Sequence, residues 1–269
     1  VLKIIIDMKF QIKLFLATIG MTSYMAFAQS DDVKPRYEAH WFGFDIGVNM
    51  LTNADMSTEF SNNRYWENNI AQSTSMHFNF LEYKLPIFKQ YLGLTTGLGW
   101  HLNSYGFKDD YVLYHNDSIV GAVVDPNQEY KQNYLTAHYF SVPLLLEFAS
   151  KRRGAKSFYL SAGVVGSVRI GSRTTRKGTY ENGDKFNNVT RSKYNLNPVV
   201  LDATVRMGYN NWGLFATYGL TSLFKENKTV GVYPLRFGLS LNIPTVGKDK
   251  SNEDVFEEAL EEVEEATSF

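Results

Sequence analysis

Residues 233–243 read YPLRFGLSLNI, and this stretch decides the fold class. Every second residue from Tyr233 to Ile243 is large and apolar, whereas Arg, Gly, Ser and Asn stand at most positions between them. A period of two places successive side chains on opposite faces of a β-strand. About ten residues in this conformation cross a bilayer when the strand is tilted. The pattern therefore predicts a strand with one apolar and one polar face.

The same alternation recurs along the chain and predicts seven further strands. They lie at 42–50, 75–85, 92–103, 139–148, 158–170, 199–209 and 213–221. The 75–85 stretch is the least regular, because Glu82 interrupts its apolar face. With this stretch included, the sequence predicts eight strands. Bacterial outer-membrane barrels have an even number of strands.

The connections between the predicted strands alternate in length. Short turns are expected near 86–90, 149–156 and 210–211, and long polar loops near 51–74, 104–133 and 171–194. Short turns at one end and long loops at the other are typical of outer-membrane barrels. We therefore predict an all-β fold, an eight-stranded antiparallel up-and-down transmembrane barrel over 41–245, with both termini on the periplasmic side.

Alternation alone does not tell which face points outward. A soluble, lipocalin-like barrel that binds a ligand would turn its apolar face inward. An eight-stranded barrel, however, has an interior only just wide enough for side chains. The Gly, Ser and Thr of the polar face fit that space better than Phe, Leu and Trp do. We expect the apolar face to contact lipid, with the soluble barrel as the alternative.

The two ends of the chain lie outside the predicted barrel. From Met8, the expected true start, Lys9 and Lys13 precede an apolar run that closes with Ala26-Phe27-Ala28. This order predicts a secretory signal peptide over 1–28, followed by an N-terminal periplasmic segment at 29–40.

Residues 246–269 are predicted to form an acidic periplasmic tail. From Ser251 to Phe269 it has eight acidic residues and no basic one. It is either disordered or a partner-binding helix whose apolar stripe comprises Phe256, Leu260 and Val263. Contact with the basic residues of the 149–156 turn is a further expectation.

Composition excludes several classes of function. The net charge is −1, which argues against nucleic acid as a partner. The chain has no Cys, so disulfides, thiolate metal sites and a Cys nucleophile are excluded. The sequence has no cofactor-binding motif, and no cofactor is expected.

Three stretches carry a resemblance to a known family. YFSVPLLLEF at 139–148, GYNNWGLFATYGLTSLFK at 208–225 and YPLRFGLSLNI at 233–243 resemble the small outer-membrane β-barrel proteins of Bacteroidetes-type bacteria, often grouped as PorT-like. The likeness covers roughly 40–245. It implies an outer-membrane barrel, and PorT itself is linked to type IX protein secretion. The acidic tail lies outside the resemblance.

Charged residues recur on the polar face of the strands. They are Asp45, Glu147, Arg169, Asp202, Arg206 and Arg236. Buried charges need partners, so we expect a polar network that plugs the lumen. Strand adjacency suggests Glu147 with Arg169 and Asp45 with Arg236. A narrow ion path is the alternative.

The predicted 171–194 loop is rich in cations. They are Arg173, Arg176, Lys177, Lys185, Arg191 and Lys193. Such a group either contacts the phosphates of lipopolysaccharide or is an ordinary solvated loop. Both interpretations are open from the sequence. Outer-membrane lipid and lipopolysaccharide are the expected partners of the barrel.

Two further groups are weaker candidates for chemistry. His77 and His101 are expected to face inward near Asp109 and Asp110, but two imidazoles fit lumen lining better than a metal site. His138 is predicted to face outward near the outer leaflet, where some small barrels modify lipid A. Its nearest strand serine, Ser141, falls on the opposite face, so neither a metal nor a catalytic site is expected.

The sequence therefore predicts a non-enzymatic membrane protein. It would be a scaffold or an accessory subunit of a cell-envelope complex that contacts other proteins through its loops and acidic tail. A PorT-like secretion component is the first alternative, and a lipid A-modifying enzyme is another.

Overall fold

The computed structural model describes residues 39–243, apart from 62, 89–90, 109, 117, 125–127, 151–156 and 181–182. The predicted signal peptide, the basic residues of the 149–156 turn and the acidic tail with Phe256, Leu260 and Val263 lie outside the described residues. In that described part, no helix has the length and apolar character needed to cross a membrane.

Eleven strands and two short 3₁₀ segments form within the described residues. The strands are β1 (Gly43–Thr52), β2 (Thr74–Phe88), β3 (Leu92–Gly106), β4 (Tyr111–His115), β5 (Val120–Val124), β6 (Gln128–Ala149), β7 (Phe158–Tyr180), β8 (Lys185–Arg191), β9 (Val199–Tyr209), β10 (Trp212–Gly219) and β11 (Tyr233–Asn242). The 3₁₀ segments, Arg64–Trp66 and Ile70–Gln72, lie between β1 and β2.

Eight of these strands close into one antiparallel ring. Its order is β1, β2, β3, β6, β7, β9, β10 and β11, with β11 hydrogen-bonded back to β1. The closing pair runs in register from Gly43 opposite Asn242 to Thr52 opposite Tyr233. A closed ring leaves no unpaired edge. The prediction of an all-β, antiparallel fold with eight strands in its ring is confirmed.

The irregularity of the second strand is a β-bulge. The register of β2 against β3 shifts by one residue after Asn79, so Phe80 has no partner of its own. A bulge reverses the alternation beyond it. Glu82 and Lys84 are consequently buried in the interior, whereas Leu81 is exposed. Glu82 does not break the strand; it belongs to the inner face.

The 171–194 segment is not the long polar loop that its composition predicted. Strand β7 continues to Tyr180, and β8 runs back along it from Lys185 to Arg191. Strand β6 is extended as well and pairs with this upper part of β7. The paired backbone groups satisfy one another, which explains why a polar sequence remains in strands beyond the barrel wall.

The apolar face of the barrel points outward. On β6, Phe140, Leu144 and Phe148 are between 46% and 51% exposed, whereas Leu145 and Glu147 are buried. Exposed apolar side chains on this scale suit contact with lipid rather than water. The arrangement confirms the expected direction of the two faces and contradicts the lipocalin-like alternative, which needed an apolar interior.

An apolar cluster closes the end of the barrel that carries the long loops. Trp66 is at its centre, with its ring 4.5 Å from that of Phe224 and 6.4 Å from that of Phe107. The three residues come from different connections and meet above the lumen, where they form a cap.

An ion pair lies on the outer side of this cap. The ammonium of Lys108 lies 3.1 Å from Glu67 Oε2 and lowers the pKa of that carboxyl.

Two glycines of β7 test how closely the strands approach one another. A Cβ at Gly163 would lie 2.2 Å from the carbonyl oxygen of Leu144, whereas one at Gly166 would meet no heavy atom within 4 Å. We expect Gly163→Val to destabilise the barrel by about 1–3 kcal/mol through overpacking, and Gly166→Val to have little effect. Urea unfolding in detergent micelles measures both. Equal stability of the two variants would contradict the close approach.

Candidate functional site in the barrel lumen

A buried ion pair crosses the lumen between β1 and β9. Arg206 Nη1 donates to Asp45 Oδ2 at 2.7 Å, and Arg206 Nη2 donates to Asp45 Oδ1 at 2.9 Å. Both side chains are at most 2% exposed. Two parallel hydrogen bonds between a guanidinium and a carboxylate are among the strongest polar contacts in proteins. The pair therefore ties together two strands that are not neighbours in the ring.

Two glycines lie in the same row of residues as Arg206 and leave space for Phe215. Arg206 is in register with Phe215, Phe215 with Gly238, and Gly238 with Gly47. The row thus has no side chain on β11 or β1. Phe215 extends over it, because a Cβ on Gly47 would lie 3.0 Å from the edge of the Phe215 ring. Larger residues at either glycine would compete with Phe215 for the same volume.

Two further polar side chains complete the surroundings of Asp45. Asn79 Nδ2 donates to Asp45 Oδ2 at 3.2 Å, and His77 Nδ1 lies 3.5 Å from the same oxygen. The imidazole of His77 stacks on that of His101 with 3.8 Å between centroids. His77 Nε2 lies 2.8 Å from Ser75 Oγ. These contacts satisfy polar atoms that would otherwise be buried without a partner.

A second ion pair lies nearer the loop end. Arg236 Nη2 is 2.6 Å from Asp202 Oδ1, and both side chains are at most 6% exposed. Between their strands, Thr204 Oγ1 and Thr217 Oγ1 are 2.9 Å apart. This pair is separate from the Asp45–Arg206 pair, so opposite charges are matched at more than one height in the lumen.

A third group of charges is centred on Glu147 near the short-turn end. Lys84 Nζ donates to Glu147 Oε1 at 2.9 Å, and Thr95 Oγ1 donates to Glu147 Oε2 at 3.2 Å. The backbone N–H of His40 donates to Glu147 Oε2 at 3.0 Å, and His40 Nδ1 lies 3.0 Å from Glu147 Oε1. One carboxylate therefore holds two strands and the segment that precedes β1.

That preceding segment enters the barrel and closes its short-turn end. Ala39, His40 and Trp41 are at most 2% exposed. The backbone N–H groups of Trp41 and Phe42 donate to Glu82 Oε2 at 3.1 and 2.7 Å. Ala39 and His40, expected within a periplasmic segment, are thus inside the barrel mouth. The chain uses its own backbone to satisfy a lumen carboxylate.

The ion pairs differ from those that strand adjacency predicted. Asp45 binds Arg206, not Arg236, and Glu147 binds Lys84 and His40, not Arg169. Glu147 is opposite Ser161 on β7, far along the strand from Arg169. Arg169 is half-buried, and its Nη1 donates to Ser172 Oγ at 3.0 Å. Both predicted pairings are wrong, because parity assigns a face but no height along it.

Sequence reasoning missed Lys84, His40 and Glu82 as members of the network. The sequence did carry a signal for Lys84 and Glu82. The inward residues have odd numbers over 75–79, whereas the polar Glu82 and Lys84 have even numbers and alternate with Leu81, Tyr83 and Leu85. A polar period of two that changes phase within one strand predicts a bulge. His40 had no such signal, because it stands outside any strand pattern.

The remaining candidates are not assembled into a chemical site. Asp110 accepts from the backbone N–H of Tyr130 at 3.1 Å, and Asp109 is outside the described residues. Among the residues that the structure describes, no three His, Cys, Asp or Glu side chains form a group suited to a metal ion. His138 stacks on Trp100, whereas Ser141 is buried against Ser167, with 2.8 Å between the hydroxyls.

Five of the six loop cations lie on the β7–β8 hairpin and divide between its two sides. Arg173, Lys177, Lys185 and Arg191 occupy one set of alternate positions, and Arg176 occupies the other. Arg176 lines a cavity of about 100 Å³ with Phe107 and Tyr194, beneath the hairpin. Lys193 is exposed beyond the end of β8. The cations are therefore not one patch.

The ion pair between Asp45 and Arg206 yields a quantitative prediction. Asp45→Asn and Arg206→Met should each lower the free energy of unfolding by about 3–5 kcal/mol, because each leaves a buried group unpaired. The double variant should lose clearly less than the sum. Arg169→Gln is the control, with a much smaller effect. Additive losses in urea unfolding of the micellar protein would show that the two residues act independently.

The plug formed by residues 39–42 predicts protection of a thiol placed in it. The chain has no Cys, so Ala39→Cys introduces a single label site. We expect this thiol to react slowly with a charged maleimide in the folded barrel, because Ala39 is 0% exposed. Adding Glu147→Gln should speed the reaction by weakening the hold on His40. A reaction as fast as in the urea-unfolded chain would contradict the plug.

Comparison with known proteins supports the same architecture. The family model described as outer membrane protein beta-barrel domain matches residues 27–225, most of the chain. No curated protein matches, and no solved structure does. The matched range includes β1 to β10 and most of the lumen charges. Together with the closed ring and its outward apolar face, this match shows that the chain belongs to the outer membrane protein beta-barrel domain family.

Proposed function

We propose that this outer-membrane β-barrel is a non-conducting, non-enzymatic scaffold or accessory subunit of a cell-envelope complex. The observation that carries the proposal is the filled lumen. Ion pairs occupy it at different heights, and both ends are closed, one by Ala39–Trp41 and the other by the apolar cluster around Trp66. A barrel filled in this way uses its surfaces rather than its interior.

The cap at the loop end provides a preformed surface for such contacts. Trp66 Nε1 donates to Thr229 Oγ1 at 2.9 Å, and the N–H of Val120 donates to the carbonyl of Lys228 at 2.9 Å. Asn195 Nδ2 donates to the carbonyl of Asn116 at 2.7 Å. These bonds join separate connections to one another. A surface that is already ordered loses less entropy on binding.

The orientation follows from the same proposal. Gly43 and Asn242 are paired, so the first and last strands begin and end at the end of the barrel with the short turns. In this family of architectures the short turns face the periplasm. We propose that orientation here, with the cap outside the cell and both termini in the periplasm. The acidic tail would then be available to a periplasmic partner.

A PorT-like component of protein secretion is the second candidate. It is favoured by the resemblance of residues 139–148, 208–225 and 233–243 to that group. The two candidates differ in the partner, which would belong to the secretion machinery in the second case. A lipid A-modifying enzyme predicts altered lipid A in a deletion strain instead. It finds less support, because His138 and Ser141 are on opposite faces of β6.

The filled lumen predicts an absence of channel activity. The full mature chain, reconstituted in planar bilayers, should show no unitary current steps, because every path along the axis passes paired charges and a closed end. A general porin inserted at the same protein-to-lipid ratio is the positive control. Discrete steps that scale with the amount of the protein would overturn the non-conducting role.

The scaffold role predicts a partner that survives mild detergent. We expect a stoichiometric protein to co-purify with the full chain. Loss of that protein from a chain ending at Lys250 would assign the contact to the acidic tail, and its retention would assign the contact to the barrel or cap. Purification of the chain alone, from cross-linked cells as well, would contradict the scaffold role.

A further inference from the structure

A row of polar side chains crosses four strands on the outer face of the barrel. Ser104 of β3 is opposite Thr136 of β6, Thr136 is opposite Arg173 of β7, and Arg173 is opposite Arg191 of β8. Directly opposed residues in a sheet point to the same side. Ser104 Oγ and Thr136 Oγ1 are 3.0 Å apart. Ser104 and Thr136 are buried, so Arg173 and Arg191 are the members of the row that an outside ligand can reach.

The row lies directly beyond the apolar band. Along the same strands, Trp100 is opposite Phe140 and Phe140 is opposite Val168, and the last two are more than half exposed. Ser104 and Thr136 are four residues farther toward the loop end than Trp100 and Phe140, which is about 14 Å along a strand. This is the level at which lipid headgroups begin when the exposed band is in the acyl layer.

The two arginines of the row are opposed on neighbouring strands. Opposed like charges destabilise a strand pair. Among the described residues, neither Arg173 nor Arg191 forms an ion pair with a carboxylate. Arg173 Nε is buried and has no hydrogen-bond partner there. An anion bound between the guanidinium groups would relieve the repulsion and satisfy this N–H group.

We infer that this row binds a phosphate group of a phosphorylated glycolipid of the outer leaflet, of the lipid A kind. The two guanidinium groups bind the phosphate, whereas the Ser104 and Thr136 hydroxyls are buried and contribute no exposed surface. Exposed Val168 and Phe140 lie below, where the acyl chains belong. A headgroup charge and acyl chains on one molecule match this vertical order of cations and apolar side chains. The inference does not depend on the scaffold role.

The neighbouring cations differ in their relation to the site. Lys177 is opposite Gln132 and Asn187, farther toward the loop end on the same face, so it extends the cationic surface. Lys185 is opposite Thr179, three register pairs farther along the hairpin than the pair of Arg176 with Asn188, so it lies well beyond the row. Arg176 lies on the other side of the hairpin and does not reach the row.

The test compares charge removal on the two sides of the hairpin. The full mature chain in detergent is titrated with lipid A that carries both phosphates. The variant Arg173→Gln/Arg191→Gln should bind at least about tenfold more weakly, since two charge-assisted contacts are lost. Arg176→Gln and Lys193→Gln remove the same charge from nearby positions and should stay within about twofold of the parent. Heat-dependent gel mobility confirms that every variant is folded.

A second titration uses the same lipid after removal of its phosphates. The parent chain should then bind as weakly as the Arg173→Gln/Arg191→Gln variant binds the intact lipid. Three results would overturn the inference: unchanged affinity of that variant, an equal loss in Arg176→Gln, or equal binding of an anionic glycerophospholipid by the parent. If Arg173→Gln/Arg191→Gln fails to fold, Arg191→Gln alone replaces it, because Arg191 is exposed and its loss leaves the barrel wall intact.

Discussion

The interior of this barrel depends on the bidentate contact between Arg206 and Asp45. Charges removed from water are stable only when they are matched in geometry and in hydrogen bonds. Here the match is made across the lumen rather than along one strand pair, so the contact joins strands that are not neighbours in the ring.

The same requirement explains how the short-turn end is closed. Glu82 and Glu147 would be buried anions with too few donors if strands alone surrounded them. Lys84, which the bulge at Phe80 turns inward, and the backbone N–H of His40 donate to Glu147. The backbone N–H groups of residues 41–42 donate to Glu82. The bulge and the entering segment therefore both supply hydrogen-bond donors to these buried carboxylates. The entering segment also closes the short-turn end of the barrel.

The loop end is closed by apolar packing rather than by ion pairs and hydrogen bonds to carboxylates. Trp66, Phe107 and Phe224 come from connections that are polar over most of their length, yet they meet in one apolar cluster above the lumen. These aromatic contacts, together with the hydrogen bond from Trp66 to Thr229, join the connections to one another. With both ends closed, the surfaces left for interaction are the outer side of the cap, the β7–β8 hairpin and the lipid-facing wall.

The strand class, the eight strands of the ring and the outward direction of the apolar face could be predicted from the sequence, because a period of two is a local property of the chain. The sequence also identified most of the buried charges, including Asp45, Asp202 and Arg236. Their partners were decided only by the tertiary structure. Pairing across a barrel depends on the register and tilt of every intervening strand, and no local pattern encodes those. The hairpin at 171–194 is a further example, since β7 pairs there both with the extended β6 and with β8.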